Sequence, residues 1–161
     1  MAASFELRPA EPQESAALSA LALRSKAHWG YGPEFMAKCV GPLTISPETI
    51  ASGMVMAAQC SRSSDLFGVC HLSVTGKHAS LEKLFVDPGA MGLGVGRALF
   101  AWAAETARDA GCSSMVIESD PDAEAFYERM GAVRVGEAPS EVIPGRMLPM
   151  LVLRIGQVDS V

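Results

Sequence analysis

Nowhere in this chain does an apolar run approach the ~18–20 residues that cross a bilayer, so no membrane role is expected. The first residues carry Glu6 and Arg8 where a secretory leader would have an unbroken apolar segment. A cytoplasmic location is the expectation. Positive charge is also in deficit. The formal net charge is −5, whereas a general nucleic-acid binder needs a basic face to displace counterions from phosphates. Cysteine occurs at Cys39, Cys60, Cys70 and Cys112 with no C-x-x-C pair, and Cys70-His71 alone cannot make a zinc site, so reduced, buried thiols are expected and no metal. No internal repeat or low-complexity linker is present, and 161 residues at 49% hydrophobic suffice for one core. The expectation is a single domain over residues 1–161, with 156–161 as a frayed tail.

The most structured stretch runs from Ser80 to Gly111. Leu81 to Val86 reads as a strand stopped by Asp87-Pro88-Gly89, and Arg97 to Ala110 as an amphipathic helix ended by Gly111. Between them stand Gly92, Gly94 and Gly96, interleaved with Leu93 and Val95 and followed by Arg97. Glycine permits positive φ and removes side chains, so that successive N–H groups can converge on an anion, and the next helix adds its positive dipole end. The outline is a phosphate cradle. It lacks the last glycine of G-x-G-x-x-G, because Arg97 stands there, and no Gly-Lys-Ser/Thr follows as in a P-loop. A nucleotide-binding role is therefore disfavoured.

Around this stretch the pattern predicts a first strand Phe5 to Arg8, a helix Glu14 to Lys26 with Ala17, Leu18, Leu21 and Ala22 on its apolar side, an aromatic turn His28-Trp29-Gly30-Tyr31, a helix Glu34 to Val40, and a helical turn begun by Ser46-Pro47. Strands Val55 to Cys60 and Leu66 to Val74 follow, then the strand ending at Val86. Downstream come a strand Ser114 to Glu118, a helix Ala123 to Met130, a strand Val133 to Glu137, a loop Pro139 to Pro149 and a strand Met150 to Ile155. The fold class is α+β, with a mixed, mostly antiparallel central sheet and helices on both faces. The helical crossover should make the Val86 and Val116 strands parallel.

The string Leu84-Phe85-Val86-Asp87-Pro88 followed by Met91-x-x-Gly94-x-Gly96-Arg97-Ala98-Leu99 resembles the acetyl-CoA-binding motif of the GCN5-related N-acetyltransferases (GNAT). Ile117-Glu118-Ser119-Asp120 and Ala123-Glu124-Ala125-Phe126-Tyr127-Glu128-Arg129-Met130-Gly131 look like that family's second half. The chain departs from the pattern at Met91, where Gln or Arg is usual, at Asp120 in place of Asn, and at Ser80 in place of a frequent Glu. The resemblance implies acetyl-CoA as co-substrate and a small-molecule or peptide amine as acceptor, with self-association into a homodimer left open. It also implies that the parallel strand pair splays. Leu84, Phe85 and Val86 would then offer backbone N–H groups to the thioester arm, while Met91, Gly92 to Arg97 and Asp120 line the cofactor.

Direct acetyl transfer requires an acid for the leaving thiolate and a base for the amine. The resemblance places the Tyr127 hydroxyl near the cofactor sulfur; the alternative is an aromatic packed on the sheet. Strand alternation puts Glu82 on one face with Ser80 and Leu84, which makes it the base candidate, with His28 and His71 as rivals. His28, Trp29 and Tyr31 fall where the family builds one acceptor wall, and Arg146 near the other, where it would pair with an acceptor carboxylate; an aromatic hinge is the alternative for the first three. A reading of another class is a non-catalytic acyl-CoA-binding regulatory module.

Overall fold

The computed structural model describes residues 4–156, so most of the expected frayed tail lies outside the described residues. Strands β1 (Phe5–Pro9), β2 (Val55–Cys60), β3 (Leu66–Thr75), β4 (His78–Val86), β5 (Ser114–Glu118), β6 (Val133–Pro139) and β7 (Met147–Arg154) form one sheet in the order β1-β2-β3-β4-β5-β7-β6. The helices are α1 (Ser15–Ala27), α2 (Pro33–Cys39), α3 (Pro47–Ala51), α4 (Val95–Asp109) and α5 (Glu124–Arg129). β4 and β5 run parallel, with His78 to Leu81 opposite Ser114 to Ile117. The other registered pairs are antiparallel.

Residues 4–71 and 83–99 make one compact unit. Its core joins Leu18 and Leu21 of α1, Ile45, Ile50 of α3, Val55 and Ala57 of β2, and Val69 of β3, with Phe85 of β4 packed against it. α1 buries Leu18, Leu21, Ala22 and Ser25, a three-and-four spacing that is one helical face; Ala17, expected on that face, is exposed. Ser15 Oγ donates to Ile45 O (2.6 Å) and Ser19 Oγ accepts from Ile45 N (2.9 Å), which clamps the chain ahead of α3 onto α1. At the same N-terminal end of α1, Arg8 donates to both carboxylate oxygens of Glu14 (2.8 and 2.7 Å).

The β2–β3 register steps from Ala58↔Gly68 to Gln59↔Leu66, so Phe67 is an extra residue on β3. Its carbonyl accepts from Asp87 N (2.8 Å), the residue that ends β4. Gly68 beside it is a point of close approach. A Cβ there would stand 2.8 Å from Val95 Cγ1, 2.9 Å from Leu99 Cδ1 and 3.1 Å from Phe85 O. The first turns of α4 rest on bare backbone.

Residues 72–82 and 100–156 make the second unit. β7 lies between β5 and β6, with Ser114↔Arg154 through Glu118↔Met150 on one side and Val133↔Val152 through Pro139↔Met147 on the other. β7 begins at Met147, ahead of the expected Met150, and Pro149 lies inside it. The β5 register ends at Met150, so no ladder donor is required of Pro149 on that side, while its carbonyl accepts from Ser119 N (2.9 Å). The expected loop shrinks to residues 140–146, closed by Ser140 N to Arg146 O (2.7 Å).

Three of the cysteines, Cys39, Cys70 and Cys112, are buried, and burial pushes the Cys70 thiol far above its ordinary range. Among the described residues no helix is long and apolar enough to cross a membrane.

Candidate active site

The strand β4 changes character along its length. From His78 to Glu82 exposed or half-exposed residues alternate with buried ones, and from Lys83 to Val86 every residue is half-buried. The register with β5 ends at Leu81↔Ile117, so Leu84, Phe85 and Val86 lie beyond the parallel pairing. Glu82 is exposed and its Oε1 accepts from Ser73 Oγ (2.7 Å) on the adjacent β3.

After β4, Asp87 caps a single 3-10 turn, Pro88–Ala90, with Oδ2 accepting from Gly89 N (3.1 Å). Met91 is extended and 36% exposed. Gly92 and Gly94 adopt φ of +87° and +86°, where L side chains are strained, and a Cβ on either would meet nothing within 4 Å. Space and handedness both suit a ligand laid on the backbone. α4 starts at Val95 rather than at Arg97, so Gly96 belongs to the helix and its φ is not positive. Met91 N reaches Pro88 O (3.4 Å) and Ala98 N reaches Gly94 O (3.1 Å), whereas the N–H groups of Gly92 through Arg97 donate to no acceptor among the described residues. Such a row of donors, continuous with the positive end of a helix, is the chemistry of a phosphate site. Arg97 is exposed and makes no ion pair among the described residues.

On the other unit, Tyr127 of α5 is 7% exposed, and its ring meets Phe100 of α4 at 6.0 Å and Phe126 at 5.2 Å between centroids. The ring is therefore part of an aromatic cluster. Asp120 accepts from Asp122 N (3.0 Å) and caps the turn Pro121–Ala123. Arg146 closes the β6–β7 loop and is half-buried.

The segment after α1 is exposed. Trp29 is 47% accessible, which removes the core-hinge reading for this residue. Its ring meets His28 edge-on at 5.6 Å. Tyr31 stacks on Phe35 of α2 at 4.2 Å, with Lys26 Nζ 5.2 Å from the Tyr31 centroid.

A family model for the acetyltransferase (GNAT) family matches residues 27–132. The chain belongs to the GNAT acetyltransferase family. It is an acetyltransferase by family. No curated protein matches the chain. Its fold is similar to that of the PaiA N-acetyltransferase from Thermoplasma acidophilum in complex with coenzyme A, at 16% identity over 94% of this chain and 99% of that one, with TM-score 0.77. It is similar to the ribosomal-protein-S18-alanine N-acetyltransferase from Escherichia coli at 18% identity, 98% and 97% coverage and TM-score 0.68. A third similar structure is YncA from Salmonella typhimurium with acetyl-CoA, at 16% identity, 96% and 95% coverage and TM-score 0.68. The matched GNAT span runs from the end of α1 past α5 and takes in the glycine loop, while Arg146 lies outside it.

Sequence reasoning passed over three groups of this GNAT chain. Ser73 holds Glu82, Phe35 and Lys26 complete the cluster around Tyr31, and Arg24 Nε meets Asp87 Oδ1 at 2.9 Å. Only the four-residue step from Tyr31 to Phe35, a helical spacing, offered a signal in the sequence.

Proposed function

We propose that this chain moves the acetyl group of acetyl-CoA to a primary amine on a small molecule or peptide by direct attack. The observation that carries the proposal is the run of undirected N–H groups from Gly92 to Arg97 on a backbone opened by two positive-φ glycines. These groups and Arg97 hold the pyrophosphate, and the N–H groups of Leu84 to Val86, past the end of the β5 register, take the pantetheine arm as an added strand would. Acetyl-CoA supplies an activated thioester. The rest is the work of side chains: Glu82, oriented by Ser73, accepts the proton of the acceptor ammonium, and the Tyr127 hydroxyl returns one to the leaving thiolate. His28, Trp29 and Tyr31 contact the acceptor, and Arg146 pairs with an acceptor carboxylate. The three cysteines buried as small apolar side chains suit a reducing cytoplasm.

The test is ligand-dependent stability. Acetyl-CoA at about 100 times Kd should stabilise the native state by about 2.7 kcal/mol and raise Tm by several degrees. Gly94→Asp, which blocks the loop with a side chain of the wrong charge, should abolish the rise. No rise in the wild type would reject the cradle, and a rise without thiol release across a panel of amines would favour the binding module.

A further inference from the structure

Arg24 is in contact at both of its ends. Its carbonyl accepts from His28 N (3.2 Å) at the end of α1. Its Nε donates to Asp87 Oδ1 (2.9 Å), and the second oxygen of that carboxylate accepts from Gly89 N (3.1 Å). Asp87 is fixed in turn by its own backbone, with N donating to Phe67 O and O accepting from Ala90 N, both at 2.8 Å. Hydrogen bonds at the two ends of Arg24, one at its carbonyl and one at its guanidinium, therefore join His28 through the Arg24 side chain and the Asp87 carboxylate to the turn that enters the glycine loop. Trp29 N and Gly30 N donate to the carbonyls of Lys26 and Ala27 (3.3 and 3.0 Å), which ties them to the same last turn of α1 that Arg24 holds.

The link also settles a charge conflict. Asp87 places a carboxylate at the mouth of a loop whose N–H groups suit an anion, and like charges there oppose binding. Arg24 cancels that charge, and its side chain stays 54% accessible.

We propose that Arg24 is a positioning residue that couples the two substrates: through Asp87 it transmits occupancy of the glycine loop to the segment His28 to Tyr31, so that acetyl-CoA orders the acceptor wall. The proposal rests on the glycine loop being the acetyl-CoA site. An anion drawn onto the loop steadies the Gly89 turn, this steadies the Asp87 carboxylate, and the fixed guanidinium holds the last turn of α1. Coupling of this kind is reciprocal, so the acceptor must tighten acetyl-CoA by the same factor.

Hydrogen exchange of the wild-type chain with and without acetyl-CoA tests this without knowledge of the acceptor. Saturating acetyl-CoA should slow the amides of His28, Trp29 and Gly30 several-fold. In Arg24→Gln, acetyl-CoA should still raise Tm while that slowing is lost, and Arg24→Lys should recover part of it at low salt, because an exposed pair is screened as salt rises. With an amine substrate in hand, Arg24→Gln should raise the acceptor KM several-fold and leave kcat within twofold. If acetyl-CoA raises the wild-type Tm but leaves those amides unchanged, or if Arg24→Gln keeps the full slowing, the coupling role is overturned. If acetyl-CoA raises no Tm in the wild type, the cradle reading fails first and the proposal falls with it.

Discussion

Ser73 Oγ points its proton at Glu82 Oε1 across 2.7 Å, from one strand to the next at the open end of the alternating part of β4. A carboxylate held in this way keeps one oxygen for the hydroxyl and the other for a second partner. If that partner is the acceptor amine, Glu82→Gln should lower kcat by something in the range of about 10²–10⁴ typical of general-base loss. Ser73→Ala should cost far less, and in the Glu82→Gln background it should cost nothing further. Equal, additive losses in the double variant would show two unrelated sites.

Tyr127 offers a cleaner separation of ring from hydroxyl. Its ring is already committed to Phe100 and Phe126, so Tyr127→Phe should keep the ring packing and the acetyl-CoA affinity. Loss of the hydroxyl should lower kcat by roughly 10²–10⁴ if it protonates the thiolate. An unchanged kcat under conditions where chemistry limits the rate would reject the acid role.

Gly68→Ala should destabilise the protein by about 1–3 kcal/mol, the usual cost of overpacking. Val95 and Leu99 side chains can yield, but the Phe85 carbonyl at 3.1 Å cannot move without disturbing β4. Thermal unfolding should show a Tm lower by several degrees, and acetyl-CoA affinity should fall as well, because α4 begins at Val95. A Tm equal to that of the wild type would mean that the helix is free to lift.

The bidentate Arg8–Glu14 pair sets a pH dependence. The Arg8 guanidinium, ahead of the Glu11 N–H, holds the Glu14 carboxyl below its ordinary range against the opposing effect of burial. A depressed carboxyl stabilises the fold above its ordinary value and loses that contribution as pH falls through its folded value. Glu14→Gln should therefore lower Tm at pH 7 by about 2–4 °C, corresponding to about 1 kcal/mol. The difference should start to shrink below about pH 4.3 and vanish in stronger acid. A gap that persists there would assign the loss to packing instead of charge.

Much of this was legible in the order of residues, and the misses have physical causes. The glycine loop was placed correctly because three alternate glycines after a strand have few structural uses, yet α4 starts two residues early, at Val95. Glycine's poor helix propensity, about 1 kcal/mol, is outweighed there by burial of Val95 and Leu99 against bare Gly68. Pro149 read as a boundary because proline breaks ladders; the position past the end of β5 that makes it tolerable exists only in the folded sheet. The Arg24–Asp87 link joins residues 63 apart, a separation no local pattern encodes. Asp87 was recognised as a strand terminator, and its side chain serves a second purpose that termination alone does not suggest.

Gly92 and Gly94 hold torsions that favour the opposite hand from every other amino acid the ribosome supplies. With open space around both α-carbons, the difficulty of substitution there is one of chirality rather than of room. In a semisynthetic protein, D-alanine at either position would keep the loop's torsions with less entropy to lose, while L-alanine would strain them. The cradle is thus a short stretch of mirror-image backbone set into an ordinary chain, and achiral glycine lets translation build it without strain.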